Sequence, residues 1–180
     1  MIFRICFVCA FTCALFNLTA CSKATPNSPA NASTLTKAGS VCERNLLAPD
    51  DVGDILGAPV VGTKPLRGDR QTCYFTAKNA YGTGELRVTL RPGLGEATIA
   101  TFTSGKMDAY AKWSPLAGVG DSAVWKPDLH EVSAQKNNVL CEVAPTPMSM
   151  GDGFAHSGEA NQKRRLGALC NKIFANLLKD

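Results

Sequence analysis

The sequence contains few of the residues from which enzyme active sites are most often built. Its 180 residues include two histidines, His130 and His156, and neither a GxSxG nor an HExxH motif is present. Aromatic residues are also scarce, at 7% of the chain. A carboxylate pair assembled only by the fold would leave no motif of this kind. The sequence therefore predicts a protein that is not an enzyme and that has no cofactor.

Positive charge is too weak and too dispersed to indicate a nucleic-acid partner. The formal net charge is +4, and Arg4 near the N-terminus supplies one of these charges. A nucleic-acid-binding domain usually gathers its Lys and Arg residues on one face or along one helix. No such cluster dominates this chain, so we expect no nucleic acid among its partners.

No stretch of the sequence is long enough to cross a bilayer as a helix. From Ile5 to Ala20 the apolar and small residues continue without charge for about 16 positions, whereas a transmembrane helix needs about 20. A polar segment follows at once, without a basic stop-transfer cluster. A retained membrane-spanning helix is therefore the least favoured interpretation of the N-terminus.

The N-terminus instead has the order of a secretory signal peptide. One positive charge, Arg4, precedes an apolar run from Ile5 to Leu18, and small residues follow. The four residues Leu18-Thr19-Ala20-Cys21 resemble the lipobox of bacterial lipoproteins. This resemblance implies that residues 1–20 are removed and that Cys21 is acylated, which makes the lipid bilayer a partner. A secreted protein without lipid is the alternative.

The segment after the acylation site has the composition of a tether. Residues 21–40 are rich in Ser, Thr, Pro, Asn and Ala and contain no aromatic residue. Such a segment buries too little apolar surface to offset the entropy lost on ordering, and at this length it spans roughly 25 Å. In lipoproteins of double-membrane bacteria, Ser22 rather than aspartate after Cys21 favours the outer membrane, on its periplasmic side. The predicted location is therefore the cell envelope.

The eight cysteines fall into three groups. Three lie in the signal peptide and Cys21 is the lipid site, which leaves Cys42, Cys73, Cys141 and Cys170 in the folded part. An even number in an exported chain indicates two disulfides, for which three connectivities are open. No CxxC pair exists among these four, which argues against a structural zinc site and a thioredoxin-like motif. The faces on which these residues fall favour the pairs Cys42–Cys73 and Cys141–Cys170.

The remaining chain, residues 41–180, predicts one globular domain. A short helix is expected over 47–57, because Asp50 and Asp51 suit its first turn and a proline follows its end. An acid/base couple is the alternative role for these two carboxylates, and the helix start is favoured. A second helix is expected over 96–112.

Strands are expected in two hairpins and one further segment. The first hairpin joins 72–77 to 84–91, whose clean alternation is typical of a strand covered on one side. The second joins 129–135 to 139–143 across Asn137-Asn138, a favourable two-residue turn. A further strand is expected over 121–126, whereas the polar stretch 62–69 predicts a loop.

The last helix is the clearest element in the sequence. Its apolar residues recur at helical spacing: Leu166, Leu169, Cys170, Ile173, Phe174, Leu177 and Leu178. Lys163, Arg164 and Arg165 lie in its first turns, where they do not favour the helix dipole. An anionic partner or lipid head groups would explain this cluster, but a solvated face is favoured.

The order of these elements predicts the fold class. We expect an α+β domain with an antiparallel sheet of about five strands, helices packed on one face, and disulfides that staple it together. A helical segment followed by a hairpin occurs in each half of the domain. This weak repetition predicts two related halves.

Two further stretches admit a functional interpretation. Gly118-Val-Gly120 could form a phosphate-binding loop, but a helix precedes it and a strand follows, so a tight turn is favoured. Met148, Met150 and His156 are the one set of candidate metal ligands, because thioethers and imidazole suit copper(I). Trp113 and Trp125 could form a ligand platform with Tyr74, Tyr81 or Tyr110, and a place in the core is favoured.

Residues 42–178 resemble the small lipoprotein domains of bacterial envelopes. The likeness lies in LLAPDDVGDILGAPV, the paired cysteines, LAGVGDSAVW and the closing amphipathic helix. It implies an α+β fold with two related halves and brings no catalytic residue with it. The favoured function is a non-enzymatic binding or interaction module held at the membrane, with another envelope protein as partner. Capture of a small ligand or of copper is the alternative.

Overall fold

The computed structural model describes residues 41–79, 82–105, 112–146, 152–177 and 179. Its helices are α1 (Pro49–Leu56), α2 (Gly95–Thr103), α3 (Asp152–Ala155) and α4 (Glu159–Leu177), with short 3-10 turns at Val41–Arg44 and Pro127–Leu129. Its strands are β1 (Val60–Leu66), β2 (Asp69–Asn79), β3 (Gly82–Pro92), β4 (Ser114–Pro115), β5 (Ser122–Lys126), β6 (Glu131–Lys136) and β7 (Val139–Pro145). Within this described part, no helix combines the length and the apolar character that spanning a bilayer requires.

The seven strands form one antiparallel sheet in the order β1-β2-β3-β7-β6-β5-β4. The chain enters at one edge, reaches the centre with β3, crosses to the other edge and returns to the centre with β7. There Val88 of β3 lies opposite Val143 of β7. The predicted α+β class with an antiparallel sheet is therefore confirmed.

The inner face of the sheet is the face that α1 and α4 cover. Alternate strand residues, among them Leu86, Val88 and Val143, are buried here. The apolar stripe predicted for the last helix packs against them, because Leu166, Leu169, Cys170, Ile173 and Phe174 are all buried. The helical spacing in the sequence thus marked the residues that close the core, although Leu178 lies outside the described residues.

Helix α2 packs on the opposite, outer face of the sheet. Its Ile99 forms a separate apolar cluster with Val124 and Leu140, flanked by Phe102 and Trp113. The prediction that all helices pack on one face is therefore wrong. The reason lies in β5, where Ala123 and Trp125 face inwards while Val124 faces outwards, so this end of the sheet has apolar surface on both sides. The two halves share an order of elements, but α1 and α2 lie on different faces.

The sheet has seven strands where about five were expected, and both additional strands lie at its edges. β1 occupies the polar stretch for which the sequence predicts a loop, and six of its seven residues are exposed. An edge strand of this kind buries almost no side chain, so it shows no apolar alternation. Lys64 and Pro65 within it are residues that discourage pairing with a further chain. β4 has only two residues.

The other predicted elements are present with shifted ends. Both hairpins are confirmed, and the second turns at Asn137 and Asn138, which have φ angles of 50° and 57°. Leu129 belongs to the 3-10 turn before β6 rather than to the strand. The second helix ends at Thr103 rather than near residue 112, and residues 106–111 lie outside the described residues.

One of the two predicted disulfides is present. The bond between Cys42 and Cys73 joins the 3-10 turn before α1 to β2. Cys141 of β7 and Cys170 of α4 are buried thiols whose sulfur atoms are 2.8 Å apart. Burial raises the pKa of the Cys141 thiol, and the contact with Cys170 raises it further. A disulfide between these two residues stays a prediction.

Candidate functional site: the open face of the sheet

Among the described residues, the main strand contacts of α2 are with β5, β6 and β7, so this helix leaves the rest of the outer sheet face uncovered. We call the uncovered part over β2, β3, β7 and the start of β6 the open face. The alternation of side chains along each strand decides which residues lie on the open face. In β3 the residues that face inwards are Leu86, Val88 and Leu90. The charged residues of β3 at alternate positions therefore face outwards, away from the core.

One row of paired residues crosses the open face from edge to edge. Lys64 lies opposite Tyr74, Tyr74 opposite Arg87, and Arg87 opposite Ala144. Farther along the sheet Glu131 lies opposite Lys126. Because adjacent strands are about 4.8 Å apart, this register brings residues from distant parts of the chain into direct contact.

The central contact of the open face is an ion pair between β3 and β6. Arg87 Nη2 donates to Glu131 Oε2 over 2.6 Å, and Ser133 Oγ donates to the other carboxylate oxygen over 3.3 Å. The Glu131 side chain is 6% exposed and the Arg87 side chain 39%. The pair therefore presents its positive end to solvent. Arg87 Nε is buried and has no hydrogen-bond partner among the described residues.

A second carboxylate, Glu142, lies on the same face of β7. Burial raises the pKa of Glu142 above its ordinary value, and the neighbouring Glu131 raises it further, while Arg91 and Arg87 act in the opposite direction. Arg91 Nε is 3.9 Å from Glu142 Oε2. Two arginines and two glutamates are thus gathered on three adjacent strands, and one of the glutamates takes up a proton more readily than usual.

A small cavity of about 170 Å³ opens beside the Arg87–Glu131 pair. Its lining residues are Tyr74, Arg87, Leu129, Glu131, Ala144, Pro145 and Thr146. Leu129 is 40% exposed, which is unusual for a large apolar side chain in this domain. Sites for drug-sized molecules typically enclose about 300–1,000 Å³, so this cavity matches a single side chain better than a whole ligand.

A larger groove of about 400 Å³ separates α1 from α4, and its charges are largely paired across it. Lys172 Nζ contacts both carboxylate oxygens of Asp51 at 2.7 and 2.6 Å, and Arg165 lies 3.7 Å from Asp54. Asp51 also accepts the Ala48 N–H at the start of α1. Asp50 and Asp51 both lie in the first turn of α1, as predicted from the sequence.

The basic cluster at the start of α4 is divided among local partners. Lys163 pairs with Glu159 one turn earlier, Arg164 donates to Asn161, and Arg165 reaches α1 and lies over the ring of Phe154. Such exposed pairs contribute little to stability. The three residues do not converge on one point, and only Arg164 is exposed, whereas Lys163 and Arg165 are half-buried.

His130 has a structural position. Its Nδ1 is 2.9 Å from Gln162 Oε1 of α4, and its ring meets the edge of buried Trp125. Gln162 in turn donates to the carbonyls of Phe154 and Ala155. His130 thus links the turn before β6 to α3 and α4.

The glycine-rich stretch at 118–120 is a turn, as favoured from sequence. Asn171 of α4 accepts the Gly120 N–H and donates to the Gly118 carbonyl, each over 2.9 Å. Gly120 has a φ of 56°, and a Cβ at this position would collide with the Gln135 carbonyl oxygen. The glycines are explained by this close packing rather than by a phosphate.

Most of the other predicted site residues lie outside the described residues. These are the acylation site Cys21, the candidate metal ligands Met148 and Met150, and the tyrosines Tyr81 and Tyr110. His156 is exposed after α3, and the described ranges hold no group of three His, Cys, Asp or Glu residues suited to a metal. Trp125 is buried in the core, whereas Trp113 is half-buried and stacked on Phe102 at 4.1 Å.

One part of the open face could have been predicted from the sequence, although no single strand shows it. The two-residue turn at Asn137-Asn138 fixes the β6–β7 register, which sets Glu142 opposite Ser133 and on the same face as Glu131. The positions of Arg87 and of the cavity beside it could not be predicted in this way, because the pairing of β3 with β7 joins segments about 50 residues apart.

No family model, no curated protein and no solved structure matches this chain. The function must therefore be inferred from the geometry of the chain itself.

We predict opposite effects for neutralising the two glutamates of the open face. The raised pKa of Glu142 means that the native state binds a proton more tightly than the unfolded state, so this group lowers stability as pH rises above about 4.5. Glu142→Gln removes that cost and should leave the domain at least as stable as the wild type at pH 7, with the gap closing as pH falls. Urea unfolding at several pH values measures this.

Glu131→Gln is the matched comparison. It removes the ion-pair partner of Arg87 and should destabilise the domain by about 1–3 kcal/mol at pH 7. A Glu142→Gln variant that loses more stability at pH 7 than Glu131→Gln would contradict the assignment.

Proposed function

We propose that this chain is an exported lipoprotein of the bacterial cell envelope whose domain is a non-enzymatic binding module for another envelope protein. The observation that carries the proposal is the open face, where a cavity the size of one side chain adjoins a solvent-facing ion pair. The inner face of the same sheet is closed by α1 and α4. The open face is thus the part of the sheet available to a partner.

The composition of the open face supports a protein partner over a small ligand. Tyr and Arg are enriched among the residues that dominate protein–protein binding energies, and Tyr74 and Arg87 lie side by side on adjacent strands. The exposed Leu129 supplies apolar surface at the same point. A cavity of about 170 Å³ accepts a protruding side chain from a larger body but encloses little more.

The N-terminal sequence supports the location. The lipobox-like residues 18–21 would place acyl chains on Cys21, and each buried methylene contributes about 0.8 kcal/mol to membrane binding. The tether that follows would hold the domain roughly 25 Å from the bilayer. A partner would therefore be another protein of the same envelope compartment.

Acylation of Cys21 has a direct test. Mass spectrometry of the protein extracted from membranes should show a mature N-terminus at Cys21 that carries the added mass of acyl chains. Cys21→Ala should lack that mass. A wild-type mature chain that begins elsewhere, or that begins at an unmodified Cys21, would contradict the lipid anchor.

The binding role has its own test. Cross-linking in intact envelopes followed by purification should enrich one partner with the wild type, and Arg87→Glu should reduce that enrichment at least about tenfold, since hot-spot substitutions cost 2 kcal/mol or more. Arg70→Glu, an equal charge change at an exposed position at the start of β2, is the control and should retain the partner. Equal enrichment by both variants, or no partner at all, would refute the proposal.

A further inference from the structure

We propose that the open face recognises a carboxylate carried next to an apolar group, with the cavity holding the apolar group and Arg87 binding the carboxylate. This inference rests on the proposed binding function and names the chemistry of the partner segment. The C-terminal carboxylate of a partner chain that ends in an aliphatic residue has this chemistry.

The walls of the cavity favour an apolar group as its occupant. Leu129 of the turn before β6, the ring of Tyr74 and the end of β7 at Ala144 and Pro145 form most of its surface. The exposed fraction of Leu129 is 40%, so filling the cavity would remove apolar surface that is now in water. An aliphatic side chain fits both the size and the character of these walls.

The hydrogen bonding and exposure of Arg87 favour a carboxylate as the group it binds. Among the described residues, Nη2 is the one Arg87 nitrogen with a hydrogen-bond partner, a single oxygen of Glu131, and the buried Nε has none. The side chain is 39% exposed at the wall of the cavity. Because a guanidinium carries five N–H donors in a planar fork, Arg87 retains donors for a second carboxylate.

The other ion pairs of the outer face also expose positive charge, which attracts a carboxylate. In Lys64–Glu85 the side chains are 60% and 23% exposed, and in Arg91–Glu142 they are 45% and 18% exposed. Arg87–Glu131, at 39% and 6%, has the same orientation. In all three pairs the cation is the more exposed member, so an approaching partner meets positive charge although each pair is formally neutral.

A pair of isosteric fragments tests the proposal on the lipid-free mature chain, residues 21–180 with Cys21→Ala. We expect 4-methylpentanoate, which combines an aliphatic group with a carboxylate, to shift the NMR signals of Tyr74, Arg87 and Leu129. The uncharged 4-methylpentanamide should bind at least about tenfold more weakly, because it lacks the charge-assisted hydrogen bonds. Acetate, which lacks the aliphatic group, should also bind more weakly.

Three variants locate the effect. Arg87→Gln should abolish the preference for the acid over the amide, whereas Arg91→Gln should keep most of it, because Arg91 lies outside the cavity lining and adds only to the general positive charge of the face. Leu129→Ser should weaken both fragments alike. The comparison of acid with amide on the wild type needs no variant, so a folding defect of Arg87→Gln leaves the test intact.

Two results would overturn the inference: equal affinity of acid and amide for the wild type, or an equal loss of preference in Arg91→Gln and Arg87→Gln. If either result is found and the Arg87→Glu variant nevertheless loses its envelope partner, the proposed binding function is retained and only the carboxylate chemistry is rejected. A clear preference for the acid without any envelope partner would instead refute the proposed function.

Discussion

The packing of α4 against the inner face of the sheet is the interaction on which the rest of the structure depends. Leu166, Cys170 and Ile173 are fully buried between this helix and the central strands. The same helix also makes polar contacts with nearly every surrounding element. Its partners are the turn at 118–120, the turn holding His130, the end of α3, the carbonyl of Leu46 and Asp51 of α1.

This packing decides which surface of the sheet the described helices leave uncovered. Helix α4 packs against the inner face of β6 and β7. On their outer face these strands carry Glu131 and Glu142. The charged side chains Arg87, Glu131 and Glu142 therefore project from paired strands rather than from loops, which is the arrangement that positions a side chain with least freedom. Because α2 covers only one end of the outer face, the exposed cations and the cavity remain together at the other end.

How much of this could be read from the sequence depends on whether each feature is local. The apolar stripe of α4 and the turn at Asn137-Asn138 are repeated or adjacent in sequence, and both were predicted correctly. The Cys42–Cys73 bond was also predicted, as the pair that remains once Cys141 and Cys170 are matched by the faces on which they fall. Each of these features needs only short-range periodicity or a single choice among few pairings.

The features that could not be predicted depend on contacts between distant segments. β1 has no apolar alternation because it lies at an edge, and its strand character comes from pairing with β2. The side on which α2 packs follows from Val124 and Leu140, which meet only once β5, β6 and β7 are assembled. The Arg87–Glu131 pair likewise requires β3 and β6 to flank β7, and no local pattern encodes that order.

The dependence of the sheet on α4 is tested most directly by native-state hydrogen exchange of Ile173→Ala. Truncating this fully buried side chain should cost about 2–5 kcal/mol. Amides of β3, β6 and β7 should lose this protection together with those of α4, whereas Ala175→Ser on the exposed side of the helix should leave it within about 0.5 kcal/mol. A loss confined to α4, with the strand amides protected as in the wild type, would contradict the account.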